Sequence, residues 1–447
     1  MTSSELRSRE ERRQDGVARR QVTPRSAHAA WAAPEHRADP VDILIDQGKG
    51  RIPELLPVRY GRMQGSAFAF LRGAAAVMAA DLATTPNAGL TVQACGDCHL
   101  ANFGAYRSPE GVPVFDINDF DETLPAPFEW DLKRLATSLV VAGQDQKLTD
   151  KACRDLARAA VAAYRVHIAE LAALTPLQAW SSSIPLQDAI AGIGDPKLRG
   201  RETARLNAAM AATDSSYGLV DRTDDGWRIL EKPGVRRLGE HEVATKHIFA
   251  QYRRTLAPER QALFQRYTLG DVAFKVVGVG SVGTFCAIGL FTTADGEPLI
   301  LQVKEADRSV LATAAGASVF KQQGERVVVG QRIMQAVADI FLGWTDSGGN
   351  DGRDFYVRQL KDPRLAAIGT DLTGALPFYA PLCGKTLARA HARSGDAATI
   401  AGYLGRGDAM DEAIATFAMS YAGQTRTDWQ AMVAAIVTGR ITAEASA

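Results

Sequence analysis

Residues 95–131 hold the densest group of side chains in the sequence that could do chemistry. Asp97 is followed five residues later by Asn102, and Asp119 comes after the apolar run 112–115. Transfer of a phosphoryl group from a nucleotide needs one aspartate to accept the proton of the attacking hydroxyl. It also needs an asparagine and a second aspartate to hold magnesium. This spacing, with the second aspartate just beyond a strand, predicts one half of a metal–phosphate site.

A second informative stretch, 272–306, predicts the phosphate-binding half. It contains the pattern G-x-G-x-x-G at Gly278, Gly280 and Gly283. The pattern alone is weak evidence, because dinucleotide-binding folds use it between a strand and a helix. Here the residues that follow favour a β-hairpin, and the strand LILQVK after its turn ends in Lys304. The loop amides, including that of Ser281, and Lys304 are therefore the predicted phosphate-binding groups.

The acid that would pair with Lys304 has two candidates. Glu325 opens a predicted helix over 325–342 and lies about twenty residues after the lysine, where a kinase places that acid. Glu305, next to the lysine, competes with it. Lys304 itself has an alternative interpretation as a surface lysine on a strand edge.

Four polar side chains of the acidic segment leave alternatives open. Cys95 and Cys98 form a C-x-x-C pattern, which suits a redox motif in a thioredoxin-like fold or half of a zinc site. Neither a βαβ context nor a second ligand pair is visible in the sequence. His99 is either a hydrogen-bonded structural histidine or a metal ligand or base. Asp116 is either a second metal ligand or polar support at the end of a strand.

Composition argues against several classes of protein. The 447 residues include 51 basic and 51 acidic side chains, so no general attraction to nucleic acid or to an anionic membrane is expected. No apolar run reaches transmembrane length, and the polar, arginine-rich N-terminus lacks the pattern of a signal peptide. The five cysteines fit the reducing cytoplasm rather than a disulfide framework. We therefore expect a cytoplasmic protein whose partner is a small molecule.

Six motifs connect the two informative stretches with a known family. They are GDCHLANFG, FDINDFDET, WDLKRLATSL, GVGSVGT, LQVKEA and GKTLARAHARSGD. Through them the sequence, from about Arg59 almost to the C-terminus, resembles a bacterial family catalogued as domain of unknown function 2252. That family is grouped with the protein-kinase-like superfamily, and its motifs are similar to those of aminoglycoside phosphotransferases.

The similarity to phosphotransferases implies a role for each matched residue. Their loop H-G-D-x-H-x-x-N is matched here over 96–102, with Cys95 in place of the first histidine. Asp119 matches the metal-binding aspartate better than Asp116 does, because Asp131 in WDL lies twelve residues after it, as expected.

The order of the motifs predicts a circularly permuted fold. In an ordinary kinase the small lobe with the glycine loop precedes the catalytic loop, whereas here the glycine loop comes about 180 residues later. The resemblance thus implies an α+β, protein-kinase-like fold of two lobes with an enlarged, mainly helical large lobe. We expect a disordered tail over 1–40, large-lobe segments over 41–265 and 363–447, and the small-lobe sheet over 266–362.

The resemblance and the residues together predict an ATP- and Mg²⁺-dependent phosphotransferase that acts on a small hydroxylated molecule. Asp97 is the predicted base, and Asn102 and Asp119 are the predicted metal ligands. One alternative is nucleotidyl transfer (AMPylation), which requires the nucleotide to bind in the reverse direction. The other is a nucleotide-sensing pseudokinase that binds a partner. The full set of base, metal and lysine residues argues against the pseudokinase.

Overall fold

The computed structural model describes residues 7–212, 217–224, 226–276, 278–348, 352–366 and 374–444. In this part of the chain helices predominate, and the strands form one six-stranded sheet and three two-stranded sheets. The prediction of an α+β fold is confirmed. No helix within these ranges is long and apolar enough to cross a membrane.

The elements are numbered in chain order. The helices α1 to α18 are Arg9–Val22, Pro40–Gly48, Leu56–Gln64, Ala67–Gly73, Ala75–Leu82, Phe128–Asp145, Asp150–Ala173, Pro176–Trp180, Leu186–Ala191, Pro196–Ala211, Glu242–Tyr252, Pro258–Phe264, Ala312–Ala315, Gln323–Met334, Pro363–Ala366, Leu376–Ala392, Ala397–Leu404 and Ala409–Val437. The strands β1 to β12 are Thr91–Ala94, Phe103–Arg107, Pro113–Ile117, Leu124–Pro127, Val220–Thr223, Gly226–Ile229, Val235–Arg236, Thr268–Lys275, Cys286–Thr292, Pro298–Glu305, Gly343–Asp346 and Asp354–Gln359.

The six-stranded sheet is antiparallel, and its strands lie in the order β11, β12, β10, β9, β8, β7. The glycine pattern lies in the connection between β8 and β9, and Lys304 lies near the end of β10. The predicted succession of strand, glycine loop, strand, turn and lysine-bearing strand is therefore confirmed. Lys304 lies opposite Cys286 of β9 and Tyr356 of β12, so these side chains share one face of the sheet.

The other face of the sheet carries the hydrophobic core of this region. Leu301 and Val303 alternate along β10 with the residues of the Lys304 face, and both are fully buried. They belong to one hydrophobic cluster with Phe249 and Tyr252 of α11. Helix α11, which precedes the predicted small-lobe segment, therefore shares a core with the sheet.

The hairpin of β5 and β6 packs on part of the Lys304 face. Val220 and Ile229 of this hairpin are buried in one cluster with Ile288 of β9 and Ile300 of β10. The last two lie on the Lys304 face, because even spacings along their strands separate them from the pair that includes Lys304. The apolar part of this face is thus covered by the hairpin.

The helical part of the molecule is built around α6. Residues 128–143 of this helix are buried on every side, which is typical of a helix at the centre of a bundle. Helices α7, α16 and α18 pack around it, and β1 lies at its N-terminal end beside β4. The first turn of α6 therefore lies against the loop that follows β1, and this loop contains Asp97.

The N-terminal segment corrects one prediction, because α1 is a helix where a disordered tail was expected over 1–40. The first six residues of that range lie outside the described part. Helix α1 packs on α17 so closely that a Cβ on Gly16 would overlap the carbonyl oxygen of Thr399, and one on Gly402 would overlap that of Arg13. The charged composition concealed this contact, since glycines and arginine side chains make it rather than large apolar groups.

Candidate functional site

Six of the nine predicted functional residues line one cleft between the glycine loop and the loop after β1, whereas Gly283, Lys304 and Glu325 lie outside its lining. The lining includes Asp97, Asn102 and Asp119, together with Gly278, Gly280 and Ser281. A Cβ on Gly280 would lie 3.0 Å from the carbonyl oxygen of Arg72 and 3.9 Å from Oδ2 of Asp97. The glycine loop therefore lies directly against the Asp97 carboxylate, although about 180 residues separate them in sequence.

The loop after β1 is held by a buried carboxylate of α6. Asp131 accepts hydrogen bonds from the backbone N–H groups of Cys95 at 2.7 Å and Gly96 at 3.0 Å. His391 of α16 contacts the same carboxylate, with 3.1 Å between Nε2 and Oδ2. Gly96 has a φ of +84°, and a Cβ there would overlap the neighbouring backbone. The start of the loop is thus fixed through its backbone, and the Cys95 thiol adds a hydrogen bond to the carbonyl oxygen of Asp119 at 3.3 Å.

Asp97 is bonded at one oxygen and presents the other to the cleft. Arg134 donates from Nε to Oδ1 at 2.6 Å, and its Nη2 also contacts this oxygen. Oδ2 faces Gly280 and lies 3.6 Å from Nε2 of His99. A carboxylate oriented in this way keeps one oxygen available to accept a proton.

Sequence analysis missed Arg134, although α6 carried a signal for it. Arg134 comes three residues after Asp131 in the motif WDLKRLATSL. Side chains three residues apart lie on the same face of a helix. Asp131 therefore holds the loop backbone, and Arg134 holds the Asp97 carboxylate, from the same face of α6.

His99 is a neutral, buried side chain at pH 7. Burial lowers the pKa of His99 to about 4, and this effect outweighs the attraction of the nearby Asp97 charge. The imidazole ring packs edge-on against Phe68, with 6.4 Å between the ring centroids. The buried Nδ1 of His99 has no hydrogen-bond partner among the described residues, and the ring lines the cleft, so the alternatives left by the sequence stay open.

Asn102 ends a short 3-10 turn, Leu100–Asn102, directly after the Asp97 loop. Its Nδ2 donates to the carbonyl oxygen of Asp97 at 2.6 Å. The amide nitrogen is therefore used within the loop, and the amide oxygen is the atom left for a metal ion. The Asn102 carbonyl oxygen accepts from the N–H of Asn118 at 2.7 Å, which ties the turn to the residue before Asp119.

Asp119 lies next to three cationic side chains. Burial alone would raise the pKa of Asp119, but the positive charges of Lys304, Arg358 and Lys361 hold it below its ordinary value. The carboxylate is therefore ionised at neutral pH. Magnesium in enzymes is commonly bound by one or two carboxylates, with phosphate oxygens and water completing its shell. The amide oxygen of Asn102 and the Asp119 carboxylate fit that donor set.

The structure does not support the zinc or redox interpretations of the C-x-x-C pattern. Cys95 and Cys98 are both buried and free. Within the described ranges, no group of three or more His, Cys, Asp or Glu side chains is placed to hold a metal ion. Burial raises the pKa of the Cys98 thiol well above its ordinary value, which disfavours the thiolate needed for redox chemistry.

Asp116 serves as polar support at the end of β3. It is fully buried and accepts from Nη2 of Arg389 at 2.5 Å and from the N–H of Ala336 at 2.9 Å. Of the two alternatives left by the sequence, the structure thus favours support over metal binding.

Lys304 is only 2% exposed, so its interpretation as a surface lysine is wrong. Its Nζ lies 2.5 Å from Oδ2 of Asp121, and the hydroxyl of Tyr356 donates to the other oxygen of that carboxylate at 2.5 Å. Burial would lower the pKa of Lys304, but the negative charges of Asp119 and Asp121 raise it well above its ordinary value. The amine is therefore charged at any physiological pH.

The structure does not bring Glu325 to Lys304, whose partner is Asp121. Glu325 lies in the first turn of α14, where its backbone N–H is capped by a side chain. The next residue, Arg326, faces the site instead, and its guanidinium donates to the carbonyl oxygen of Asp121 at 2.8 Å. Spacing along the sequence located the helix but not the residue that it turns towards the cleft.

Three arginines also line the cleft: Arg51, Arg59 and Arg72. Arg51 lies in the segment between α2 and α3, Arg59 lies in α3 and Arg72 lies in α4. Arg51 donates to the carbonyl oxygen of Val282 at 2.6 Å, and Arg62 donates to that of Gly278 at 2.6 Å. Arginines from the N-terminal part of the chain therefore hold the glycine loop.

The fold and the cleft define an α+β protein in which an acidic loop and a glycine loop meet in one site. The chain belongs to the family described as uncharacterized protein conserved in bacteria (DUF2252), whose family model matches residues 51–435. This range contains the acidic segment, the glycine loop and Lys304. No curated protein and no solved structure matches the chain. The resemblance to the bacterial family is thus confirmed, whereas the kinase-like assignment stays a prediction.

Proposed function

We propose that this protein transfers a phosphoryl group from ATP to a hydroxyl group of a small molecule, with Mg²⁺ as cofactor. The proposal is supported by one observation. Asp97, Asn102, Asp119 and the glycine loop line a single cleft, and Lys304 lies against Asp121 of the same cleft. These are the groups that phosphoryl transfer needs, and they come from two segments that only folding brings together.

Asp97 is the proposed base. Its Oδ2 would accept the proton of the acceptor hydroxyl while Arg134 holds Oδ1 in place. The neutral ring of His99 lies beside it and adds no charge that would compete for the carboxylate.

Asn102 and Asp119 would hold magnesium through an amide oxygen and a carboxylate. Bound magnesium would neutralise charge on the transferred phosphoryl group. Lys304 and the backbone N–H groups of the glycine loop would bind the phosphates, so Lys304 must share or exchange its contact with Asp121.

Binding of a nucleotide in the cleft requires the glycine loop to move away from the acidic segment. The cavity has a volume of about 100 Å³, whereas ligand pockets commonly measure roughly 300–1,000 Å³. The loop lies against the Asp97 carboxylate at Gly280, so a movement of this loop away from the acidic segment would enlarge the cavity directly.

For the fold we propose a circularly permuted, protein-kinase-like arrangement of two lobes. The glycine loop joins β8 to β9, the lysine lies on β10 and α14 follows, which is the order expected for the small lobe of a kinase. The Asp97 loop precedes this hairpin in the chain, and helices α16 to α18 follow it. That order supports the permutation.

Nucleotidyl transfer is the second candidate, and the polar character of the sheet surface near Lys304 favours it. A nucleotide with its phosphates beside Lys304 would place its base either along the Lys304 face of the sheet or at the opposite end of the cleft. The sheet face offers the buried Gln302 and the half-buried Arg358, which are hydrogen-bonded to each other, and its apolar part is covered by the β5–β6 hairpin. Ligand pockets are mostly apolar, so a reversed nucleotide is the alternative that this surface supports.

Magnesium and ATP together are expected to stabilise the protein more than either does alone, because each completes the binding site of the other. At a concentration one hundredfold above the dissociation constant the gain would be about 2.7 kcal/mol. Calorimetric unfolding of the full chain with Mg²⁺, with ATP and with both measures this gain.

The matched control for this experiment is a second lysine variant. Lys304→Ala should lose most of the ligand-dependent gain. Lys246→Ala, which removes a lysine of α11 that pairs with Glu242 on the surface, should keep it. A wild-type protein that is not stabilised by Mg²⁺ and ATP together would contradict the proposal.

A further inference from the structure

One end of the cleft holds two arginines whose buried guanidinium nitrogens are in part without hydrogen-bond partners among the described residues. Arg59 is fully buried, and its Nη2 donates to the carbonyl oxygen of Gly73 at 2.8 Å and to the side chain of Gln47 at 3.2 Å. Its Nε and Nη1 have no hydrogen-bond partner among the residues that the structure describes. Burial, together with the positive charge of nearby Arg51, lowers the pKa of Arg59 to about 9.

Arg72 adds a second guanidinium to this end of the cleft. Its buried Nε also has no hydrogen-bond partner in the described part of the chain, and its guanidinium carbon lies 5.9 Å from the ring centroid of Phe68. Burial lowers the pKa of Arg72, and the negative charge of Asp97 opposes this effect only in part. The carbonyl oxygen of Arg72 lies against Gly280, as the Asp97 carboxylate does.

Three carboxylates that line the cleft, Asp97, Asp121 and Glu122, are engaged elsewhere. Asp97 is bonded to Arg134, and Asp121 is bonded to Lys304. Glu122 accepts from the backbone N–H of residue 310 at 2.7 Å, and burial raises the pKa of Glu122 to about 7. Within the part of the chain that the structure describes, no carboxylate forms an ion pair with Arg59 or Arg72, although the Asp97 charge acts on Arg72.

A buried guanidinium without an anion is unfavourable, because the charge has lost its hydration without gaining a partner. Arginine presents planar donors that match the oxygens of a phosphate or carboxylate group, and such contacts are about twice as strong as neutral hydrogen bonds. An oxyanion of a ligand would therefore accept hydrogen bonds from the guanidinium nitrogens of Arg59 and Arg72 that have no partner among the described residues.

We propose that Arg59 and Arg72, with Arg51 beside them, bind a phosphate or carboxylate group of the acceptor molecule, so that the acceptor is an anionic hydroxylated compound. This assignment rests on the proposed function, because the base must reach the acceptor hydroxyl and Arg72 lies next to Asp97. The same chemistry also suits the terminal phosphate of a nucleotide bound in reverse, and the experiment separates the two sources.

The first test is calorimetric titration of inorganic phosphate into the full chain at low ionic strength, without nucleotide or metal. The wild-type protein should bind phosphate, and Arg72→Gln should weaken this binding by about tenfold or more. Arg59→Gln should act in the same direction; if it fails to fold, the half-buried Arg72 still provides the test. Phosphate binding that is absent in the wild type, or unchanged in Arg72→Gln, would overturn the inference.

The matched control is Arg19→Gln. Arg19 is a half-buried arginine of α1 that donates to the carbonyl oxygen of Ala88 at 2.7 Å and lies outside the cleft lining. Arg19→Gln removes the same charge from the chain as Arg72→Gln does. Because Arg19 lies outside the cleft, the affinity for phosphate should stay at the wild-type value. A loss equal to that of Arg72→Gln would mean that phosphate responds to net charge alone, and the site would be overturned.

The second test identifies the source of the oxyanion. If the arginines hold the acceptor, saturating phosphate leaves the Mg²⁺-dependent affinity for ATP unchanged and the nucleotide product is ADP. If they hold a reversed nucleotide, phosphate competes with ATP and the reaction releases pyrophosphate, which overturns the acceptor assignment.

Loss of phosphate binding with intact ATP binding overturns this inference alone. Absence of ATP binding with intact phosphate binding overturns the proposed function and the acceptor assignment with it.

Discussion

Asp97 and Asp119 lie in different electrostatic surroundings, and the difference matches their proposed roles. Asp97 has one oxygen bonded to Arg134 and the other directed into the cleft. Asp119 is surrounded by Lys304 and two further cations, which keep its pKa below the ordinary value in spite of burial. A base needs a free oxygen, whereas a magnesium ligand needs its full negative charge.

At this scale the sequence located residues whose relative positions depend on local spacing. Asp97 and Asn102 lie in one short loop, so their separation of five residues was informative without a structure. It failed for Asp121 as the partner of Lys304 and for Arg59, because those contacts depend on how distant elements pack. Glu325 was placed by spacing alone, and a shift of one position along α14 was enough to turn it away from the lysine.

His28 gives the fold a predictable sensitivity to acid. The ring is fully buried and its Nε2 lies 2.6 Å from the hydroxyl of Tyr403. Burial lowers the pKa of His28 from 6.5 to about 3, so the unfolded state binds the extra proton within that window. The contribution of His28 to stability is therefore present above pH 6.5. It is lost as the pH falls, by about 1.4 kcal/mol for each pH unit.

The measurement compares urea unfolding of the wild type and of His28→Gln from pH 7 to the acid limit of folding. The comparison is made with and without Glu129→Gln, because Oε1 of Glu129 lies 3.7 Å from Nε2 of His28 and burial raises the pKa of Glu129 from 4.5 to about 7, which acts with the opposite sign in that interval. The difference in unfolding free energy between the two proteins should shrink as the pH falls. His36→Gln, at an exposed histidine, should show no such trend. A pH-independent difference for His28→Gln would refute the account.

At the scale of elements, the hairpin that carries the glycine loop was predictable and the N-terminal helix was not. The alternation of β9 and β10 and the turn between them are local signals. Helix α1 depends instead on its contact with α17, where Gly16 and Gly402 let two backbones approach closely. A composition rule that counts large apolar residues cannot detect that kind of burial.

Gly16→Ala is expected to destabilise the protein by about 1–3 kcal/mol, because the added methyl group would overlap the carbonyl oxygen of Thr399. The higher helix propensity of alanine, worth about 1 kcal/mol, offsets this only in part. Gly423→Ala is the matched control: it lies exposed in α18, and nothing lies within 4 Å of the position its Cβ would take. It should leave stability unchanged or raise it by up to about 1 kcal/mol. Urea unfolding that ranks Gly16→Ala level with Gly423→Ala would show that α1 does not pack as described.

At the scale of the whole molecule, the cleft depends on an order of segments that spacing alone does not explain. The acidic segment precedes the glycine loop by about 180 residues, and the structure brings Gly280 against Asp97. The contact between the acidic segment and the glycine loop was predicted from the family resemblance, because no short-range rule connects two segments so far apart in sequence. Arg51 and Arg59 had no such guide, and only the structure shows that they line the cleft.

The central claim is that Asp97 and Asp119 act on one magnesium-bound nucleotide in different ways. Replacing each aspartate by asparagine and measuring both calorimetric binding of Mg-ATP and turnover of ATP, with anionic hydroxylated acceptors, tests the claim most directly. Asp97→Asn should keep nucleotide affinity and lower turnover by about 10²–10⁴-fold, since only the proton acceptor is lost. Asp119→Asn should weaken magnesium-dependent binding as well as turnover. Asp221→Asn, at an exposed position of β5, should change neither. Equal loss of binding in Asp97→Asn and Asp119→Asn, or wild-type turnover in Asp97→Asn, would contradict the account.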